Sequence, residues 1–283
     1  MGEPSVTTET YETLRPLAFS IAYRMLGSVA EAEDVVQEGL LRLHRADAVE
    51  HPKAFVATVV TRLSIDELRS ARSRRETYVG SWLPEPLITT DSRPDDDSVS
   101  LALLVTLESL NPVERAVFLL HDVFDYGYDE IAEIVGKTSE NCRQLAVRAR
   151  RHVEARRTRF DAPREQRERL AARFFEAIRE GDLDGLVTLL AEDAVAVGDG
   201  GGKAAARATP LHGGEKVARF MLGLQRLGER RAYTFEFVEL NGAPGALIRE
   251  DGAVAGTMTL EIAGDRVTAV RSVVNPDKLR HLN

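Results

Sequence analysis

Between residues 11 and 75 apolar side chains return every three or four positions, as in Ala32, Val35, Val36, Leu40 and Leu43, and this spacing predicts amphipathic helices. Gly27-Ser28 and His51-Pro52 break the run into segments. The stretch "WLPEPLITTDSRPDDDS" (Trp82 to Ser98) has three prolines and a cluster of aspartates, so it predicts an extended linker stiffened at Pro84 and Pro86. Helical spacing resumes near Leu101 and continues with interruptions to about Arg159. Beyond "FDAPREQ" the pattern changes. "ERLAARFFEAIREGDLDGLVTLLAEDAVAVG" predicts two helices split at Gly181-Asp182 and a strand from Ala194 to Val197, and "HGGEKVARFMLGLQRLG" predicts one more helix. The tail then alternates in strand fashion, with turns at Asn241-Gly242, Asp251-Gly252 and Gly264-Asp265. Helices followed by a meandering antiparallel sheet predict a separate α+β domain.

One helical stretch carries chemistry. In "YDEIAEIVGKTSENCRQLAVRARRHVEARR", Ile131, Ala132 and Val135 give a short helix its buried face, Gly136 supplies a turn, and Thr138 is placed to cap the next helix. In that second helix Cys142, Ala146, Ala149 and Val153 share one face. Gln144, Arg148 and Arg151 occupy the other, with Asn141 and Arg143 at its edges. Small apolar residues inward and amide or guanidinium groups outward are the make-up of a recognition helix that reads DNA in the major groove. A solvated basic helix in a bundle is the plain alternative. Cys142 falls on the inward face and reads as a small packed hydrophobe.

Charge changes the picture once it is counted by segment. The 283 residues carry a net charge of −8, which taken whole argues against a nucleic-acid partner. Yet His51 to Arg75 is net +4 and Lys137 to Arg159 is net +6, while residues 1 to 50 and Glu76 to Ser98 are each net −5. Two basic patches are thus separated by an acidic linker, and the region from Arg164 onward is nearly neutral at −1. One cysteine and six scattered histidines predict neither a disulfide framework nor a metal site, and no cofactor is expected. The polar start of the chain and the lack of long apolar runs predict a cytoplasmic protein rather than an exported or membrane-embedded one. The glycine-rich "GDGGGKAAARA" (Gly198 to Ala208) fails as a phosphate loop, because Val197 stands where the first glycine is needed and Ala204 where a Ser or Thr would reach magnesium.

"EAEDVVQEGLLRLHR" (Glu31 to Arg45), "PKAFVATVVTRLSIDELRSARSRRE" (Pro52 to Glu76) and "SLNPVERAVFLLHDVFDYGYDEIA" (Ser109 to Ala132), in this order before the helix-turn-helix, resemble the two conserved regions of extracytoplasmic-function sigma factors. The last third resembles the SnoaL-like domain fused to one subgroup of them, through "WLPEP" (Trp82 to Pro86), "DGGGK" (Asp199 to Lys203) and "NPDKL" (Asn275 to Leu279). The resemblance implies a multidomain fold: two all-α sigma modules, a region 2 helical bundle over 8–75 and a region 4 helix-turn-helix over 99–159, joined by the linker 76–98 and followed by an α+β SnoaL-like cone over 164–283. It implies that Asp34, Gln37, Glu38 and Leu41 meet core RNA polymerase. Phe55, Arg62, Arg69, Arg72, Arg74 and Arg75 would serve the minus-10 element of promoter DNA. Asn141, Arg143, Gln144, Val147, Arg148 and Arg151 would serve the minus-35 element. The sequence departs from many relatives in carrying Phe55 where a Trp is common and Arg62 where an Asn is, which leaves open the base that is held.

In that subgroup the fused domain stands in for a separate anti-sigma protein and modulates the sigma module in cis, so no separate anti-sigma factor is expected. Trp82, Pro84, Glu85, Asp199, Lys203, Asn275, Pro276, Asp277 and Lys278 are the expected regulatory interface, with Lys203 paired to a carboxylate such as Glu85. Some SnoaL-like pockets are catalytic; the candidates for such a base here, Asp199, His212 and Asp277, have no fixed spacing, and catalysis is not expected. An unknown small ligand in that pocket is allowed. The competing readings are a one-component, ligand-sensing helix-turn-helix regulator and a pocket enzyme with a DNA tether.

Overall fold

The computed structural model describes residues 8–46, 49–89, 100–156 and 162–283 and divides the chain into two compact units. The first unit joins the stretch before Tyr78 to residues 103–157, and the second joins Tyr78–Ala102 to everything from Thr158 onward.

In the first unit, α1 (Thr8–Leu26), α2 (Val29–Arg45) and α3 (Pro52–Glu76) pack together. Gly27, at φ 68°, ends α1 in the left-handed conformation that glycine adopts without strain, and Ser28 then caps α2 by accepting the amide of Glu31. Ala32, Val35, Val36 and Leu43 are buried, while Leu40 is half-buried. After α4 (Leu101–Leu107), a capping box sets the start of α5 (Pro112–Phe118): Asn111 accepts the amides of Val113 and Glu114, and Glu114 accepts the amide of Asn111. A π-helical turn over Leu119–Val123 follows, then α6 (Tyr128–Val135), a left-handed Gly136 at φ 65°, and α7 (Ser139–Arg156). Thr138 caps α7 by accepting the amide of Asn141. The α6 face differs from expectation in detail. Ile131 and Ile134 are its buried pair, and Ala132 and Val135 are half-buried at its border.

The second unit carries α8 (Arg164–Glu180), α9 (Leu183–Leu189), β1 (Leu190–Asp199), β2 (Leu211–His212), α10 (Gly214–Arg230), β3 (Thr234–Leu240), β4 (Ala243–Glu250), β5 (Ala253–Ala263), β6 (Arg266–Val273) and a closing 3₁₀ helix, Pro276–Leu282. Its described strands form one sheet in the order β2-β1-β6-β5-β4-β3. The expected antiparallel meander holds from β3 to β6, but β1 runs parallel to β6, with Val195 opposite Ala269. The reason is topological: α10 and four strands intervene between β1 and β6, so the pairing is not bound by hairpin geometry. Phe174, Leu186, Val217 and Met221 from the helices meet Leu260, Ile262, Val267 and Val270 of the sheet in one apolar core.

Phe174 is fully buried in that core. Phe174→Ala should lower the stability of the second unit by about 3–5 kcal/mol, read as a shift of its urea-unfolding midpoint.

Candidate functional site

On α7 the buried and exposed faces separate as the periodicity requires. Cys142, Leu145, Ala146, Ala149 and Val153 are buried, and Asn141, Arg143, Gln144, Val147, Arg148 and Arg151 are exposed. Burial pushes the Cys142 thiol up, so it stays a neutral packing group at ordinary pH. Arg143 lies over the Tyr128 ring at 5.4 Å, and Arg148 is 3.7 Å from Glu114, a loose pair with its guanidinium open to solvent. Arg150, by contrast, donates to Asp122 at 2.6 Å and is committed to holding α7 in place. The first turns of α7 therefore present an amide, a guanidinium and an apolar contact together, the set used to read base edges.

On α2, Asp34, Gln37 and Leu41 are exposed one turn apart, and Glu38 beside them pairs with Arg42 at 2.7 Å. On α3, Phe55 is half-buried and Arg69 forms an exposed pair with Asp66. The side chains of Arg72, Arg74 and Arg75 lie outside the described residues. Arg62 has a use the sequence did not announce. Its guanidinium donates to the carbonyls of Ile134 at 2.9 Å and Glu133 at 2.8 Å, at the C-terminal end of α6, where helix carbonyls lack partners and carry partial negative charge.

A second arginine makes the converse contact. Arg115 of α5, only 2% exposed, donates through Nε to the carbonyl of Arg24 near the end of α1 and through Nη1 to Glu108. Burial pulls its guanidinium down to about 9, which still leaves it charged at neutral pH beside Glu108. Each half of the helical unit thus inserts an arginine into the carbonyl end of a helix of the other half. Arg115 was not singled out from sequence; its place at the head of the apolar run Ala116 to Leu120 was the available signal.

In the second unit the three words "WLPEP", "DGGGK" and "NPDKL" converge on one carboxylate. Asp199, at 0% exposure, accepts from the Tyr78 hydroxyl at 2.5 Å, the Leu83 amide at 2.8 Å and the Lys278 ammonium at 2.7 Å. Lys278 also donates to the Leu83 carbonyl and sits over the Trp82 ring at 4.1 Å. Asn275 donates to the Tyr78 hydroxyl at 2.8 Å and its side chain caps Asp277. Burial first, then the hydrogen bond to Asp199, pushes the Tyr78 hydroxyl above its ordinary range, so it remains a donor.

The glycines of the loop follow from this approach. A Cβ on Gly201 would lie 2.8 Å from the Tyr78 hydroxyl, and one on Gly202 would lie 3.2 Å from Val79, both at positive φ. Further along, Leu87 and Asn241 exchange bonds, Thr89 binds Glu239 and Gly242, and the Pro86 carbonyl meets His281. Residues 78–89 are therefore a strap laid on the tail. Pro84 and Glu85 are buried in it. Lys203 does not pair with Glu85 as expected; it meets Asp277, which also binds Arg280 at 2.6 Å. That is because the glycine turn puts Lys203 beside the closing 3₁₀ helix. Of the three candidate bases, Asp199 and Asp277 are tied up in ion pairs and His212 is exposed on β2.

A helix-turn-helix with a polar outward face, preceded by an acidic-edged helical bundle, defines a DNA-binding transcription protein. The family description for sigma-70 region 2 matches residues 10–74 and that for sigma-70, region 4 matches residues 100–153. The chain is 40% identical over 285 residues to the ECF RNA polymerase sigma factor SigJ of Mycobacterium tuberculosis, covering 95% of this chain and 91% of that one. It is 31% identical over 288 residues to the probable ECF RNA polymerase sigma factor SigI of the same species, covering 99% and 97%. The crystal structure of Mycobacterium tuberculosis extracytoplasmic function sigma factor SigJ superposes with a TM-score of 0.79 at 35% identity, covering 96% of this chain and 98% of that one. The chain belongs to the ECF RNA polymerase sigma factors, which bind core polymerase and promoter DNA and are initiation factors rather than enzymes. Among the described residues no helix is long and apolar enough to cross a membrane.

Asp199→Ala strands the Lys278 ammonium in a buried site and should cost the tail on the order of 3–5 kcal/mol. The emission of Trp82, the single tryptophan, should shift to the red as the strap leaves. Lys203→Ala, at a half-exposed pair, should cost less than about 1 kcal/mol. The Lys203 hydrogen bond holds the Asp277 carboxyl below its usual range. The contribution of that pair should therefore be intact at neutral pH and fade only as the pH falls below about 4, a loss absent in Lys203→Ala.

Proposed function

We propose that the two halves of the sigma module are latched together by Arg62 and Arg115, and that the tail governs their release in cis through the strap. The observation that carries this reading is that Arg62, on the helix assigned to the minus-10 element, is spent on the carbonyls of Glu133 and Ile134. Elements centred at minus-10 and minus-35 lie about 25 base pairs apart, roughly 85 Å of duplex. A compact unit of this size has a radius of gyration of about 14 Å and is roughly 40 Å across. It cannot reach both elements without opening.

The linker supplies the reach. The span from Glu76 to Leu101 could extend to roughly 80 Å as a free chain. Docked on the tail, residues 78–89 follow a path fixed by Asp199, Lys278 and Asn241 instead. Core polymerase, meeting Asp34, Gln37, Glu38 and Leu41, would hold the opened halves apart. Phe55, Arg62, Arg69, Arg72, Arg74 and Arg75 then serve the minus-10 element, and Asn141, Arg143, Gln144, Val147, Arg148 and Arg151 the minus-35 element. The protein acts in the cytoplasm, with its tail in place of a separate anti-sigma factor, and the strap residues are the regulatory contact.

Co-elution with purified core polymerase, followed by transcription in vitro, tests the reading. Arg143→Ala and Gln144→Ala should each relax discrimination at a single minus-35 position by about 1–3 kcal/mol. Arg151→Ala should weaken binding evenly across promoter variants and lower the salt slope by about one. Tight binding of duplex DNA by the free protein, with no uptake by core polymerase, would reject the assignment.

A further inference from the structure

The helices α8 and α10 and the strands β3 to β5 enclose a cavity of ≈ 1280 Å³ in the tail. Its walls are apolar. Phe175, Met221, Phe235, Phe237 and Met258 line it, and the rings of Phe175 and Phe237 are 5.0 Å apart. Phe237 remains 65% exposed, an unusual state for a large aromatic side chain beside so much apolar wall. Ligand sites have this make-up: a concave apolar surface with a few polar groups that fix orientation.

The polar groups decide what would fit. Arg164 is bonded to Glu168 at 2.8 Å and to Glu239 at 3.2 Å, Arg179 to Glu176 at 3.1 Å, Glu229 to Gln225 at 2.5 Å, and Arg231 to Tyr233 at 3.0 Å. Arg167, one turn along α8 from Arg164 and also on the cavity wall, has its Nε enclosed without a hydrogen-bond acceptor. An enclosed guanidinium N–H is costly when unmet, and a carboxylate is its best acceptor. Asp199, His212 and Asp277, the candidate bases named from the sequence, lie outside the lining.

We propose that this cavity binds an amphiphilic organic acid, its carboxylate on Arg167 and its apolar body among Phe175, Phe235, Phe237, Met221 and Met258. The assignment rests on the reading that the tail regulates the sigma module, and it supplies that regulation with an input. Glu239 connects the two. Its carboxylate binds Arg164 on one side and the Thr89 hydroxyl, at 2.7 Å, on the other, and its carbonyl accepts the Thr89 amide at 3.0 Å. A carboxylate arriving at Arg167 draws on Arg164 as well, which loosens Glu239 and with it the far end of the strap.

Decanoate and decan-1-ol share an apolar body and differ in the head, and titrating each into the full chain by calorimetry tests the proposal. Decanoate should bind with one-to-one stoichiometry and at least about tenfold more tightly than the alcohol. Arg167→Gln, at a half-exposed position, should erase that preference and leave the alcohol unchanged, while Ala171→Phe should fill the cavity and weaken both. Absence of saturable binding, or equal binding of acid and alcohol, would overturn the assignment, and Arg167→Gln decides it even if Ala171→Phe fails to fold. Decanoate binding that leaves transcription unaltered would support the pocket assignment and count against regulation in cis, whereas lack of binding leaves the promoter-binding reading standing.

Discussion

The buried carboxylate of Asp199 is the contact on which the tail's arrangement turns. One side chain neutralises Lys278, receives the Leu83 amide and orients Tyr78, while its own carbonyl accepts the amides of Val274 and Asn275. A charge with no solvent must be met on every side, so the linker, the glycine loop and the closing 3₁₀ helix are fixed together or not at all. Glycines at 201 and 202 follow from that requirement, since any side chain there would strike Tyr78, Asn275 or Val79. A loop that resembles a phosphate cradle is thereby explained as a seat for another part of the same chain.

The helical unit uses a weaker version of the same device. Arg62 and Arg115 each place a cation at the carbonyl end of a helix belonging to the other half, where the last carbonyls of the helix want donors. The exposed Arg62 contact is worth little by itself, which fits the proposed latch, whereas Arg115 is buried and its contact is the firmer of the two. The same guanidinium cannot hold a helix end and a phosphate at once, so on the proposed reading closure and promoter contact at Arg62 would exclude each other.

Much of this was legible in the residues themselves. The two faces of α7 follow from the spacing of Cys142, Ala146, Ala149 and Val153, because helix periodicity is local. The helix breaks at Gly27, Gly136 and Gly181 follow from backbone preference. What escaped was partner choice across long separations. The pairing of β1 with β6, the match of Lys278 to Asp199 and of Lys203 to Asp277 rather than Glu85, and the reach of Arg62 to α6 all join residues whose sequence neighbourhoods say nothing of one another. Ile134, one position from where the α6 face was drawn, is a smaller miss of the same reading. The phenylalanines of β3 alternate as a strand should, yet nothing in that alternation says that Phe237 borders a cavity.

The central claim is that the two halves of the sigma module must part before the promoter is engaged, and a distance between them measures it directly. Spin labels on exposed positions of α2 and α7, read by double electron–electron resonance, should report a short separation in the free chain. That separation should widen by several tens of ångströms when core polymerase and promoter DNA are added. A separation that stays the same in the initiating complex would contradict the account.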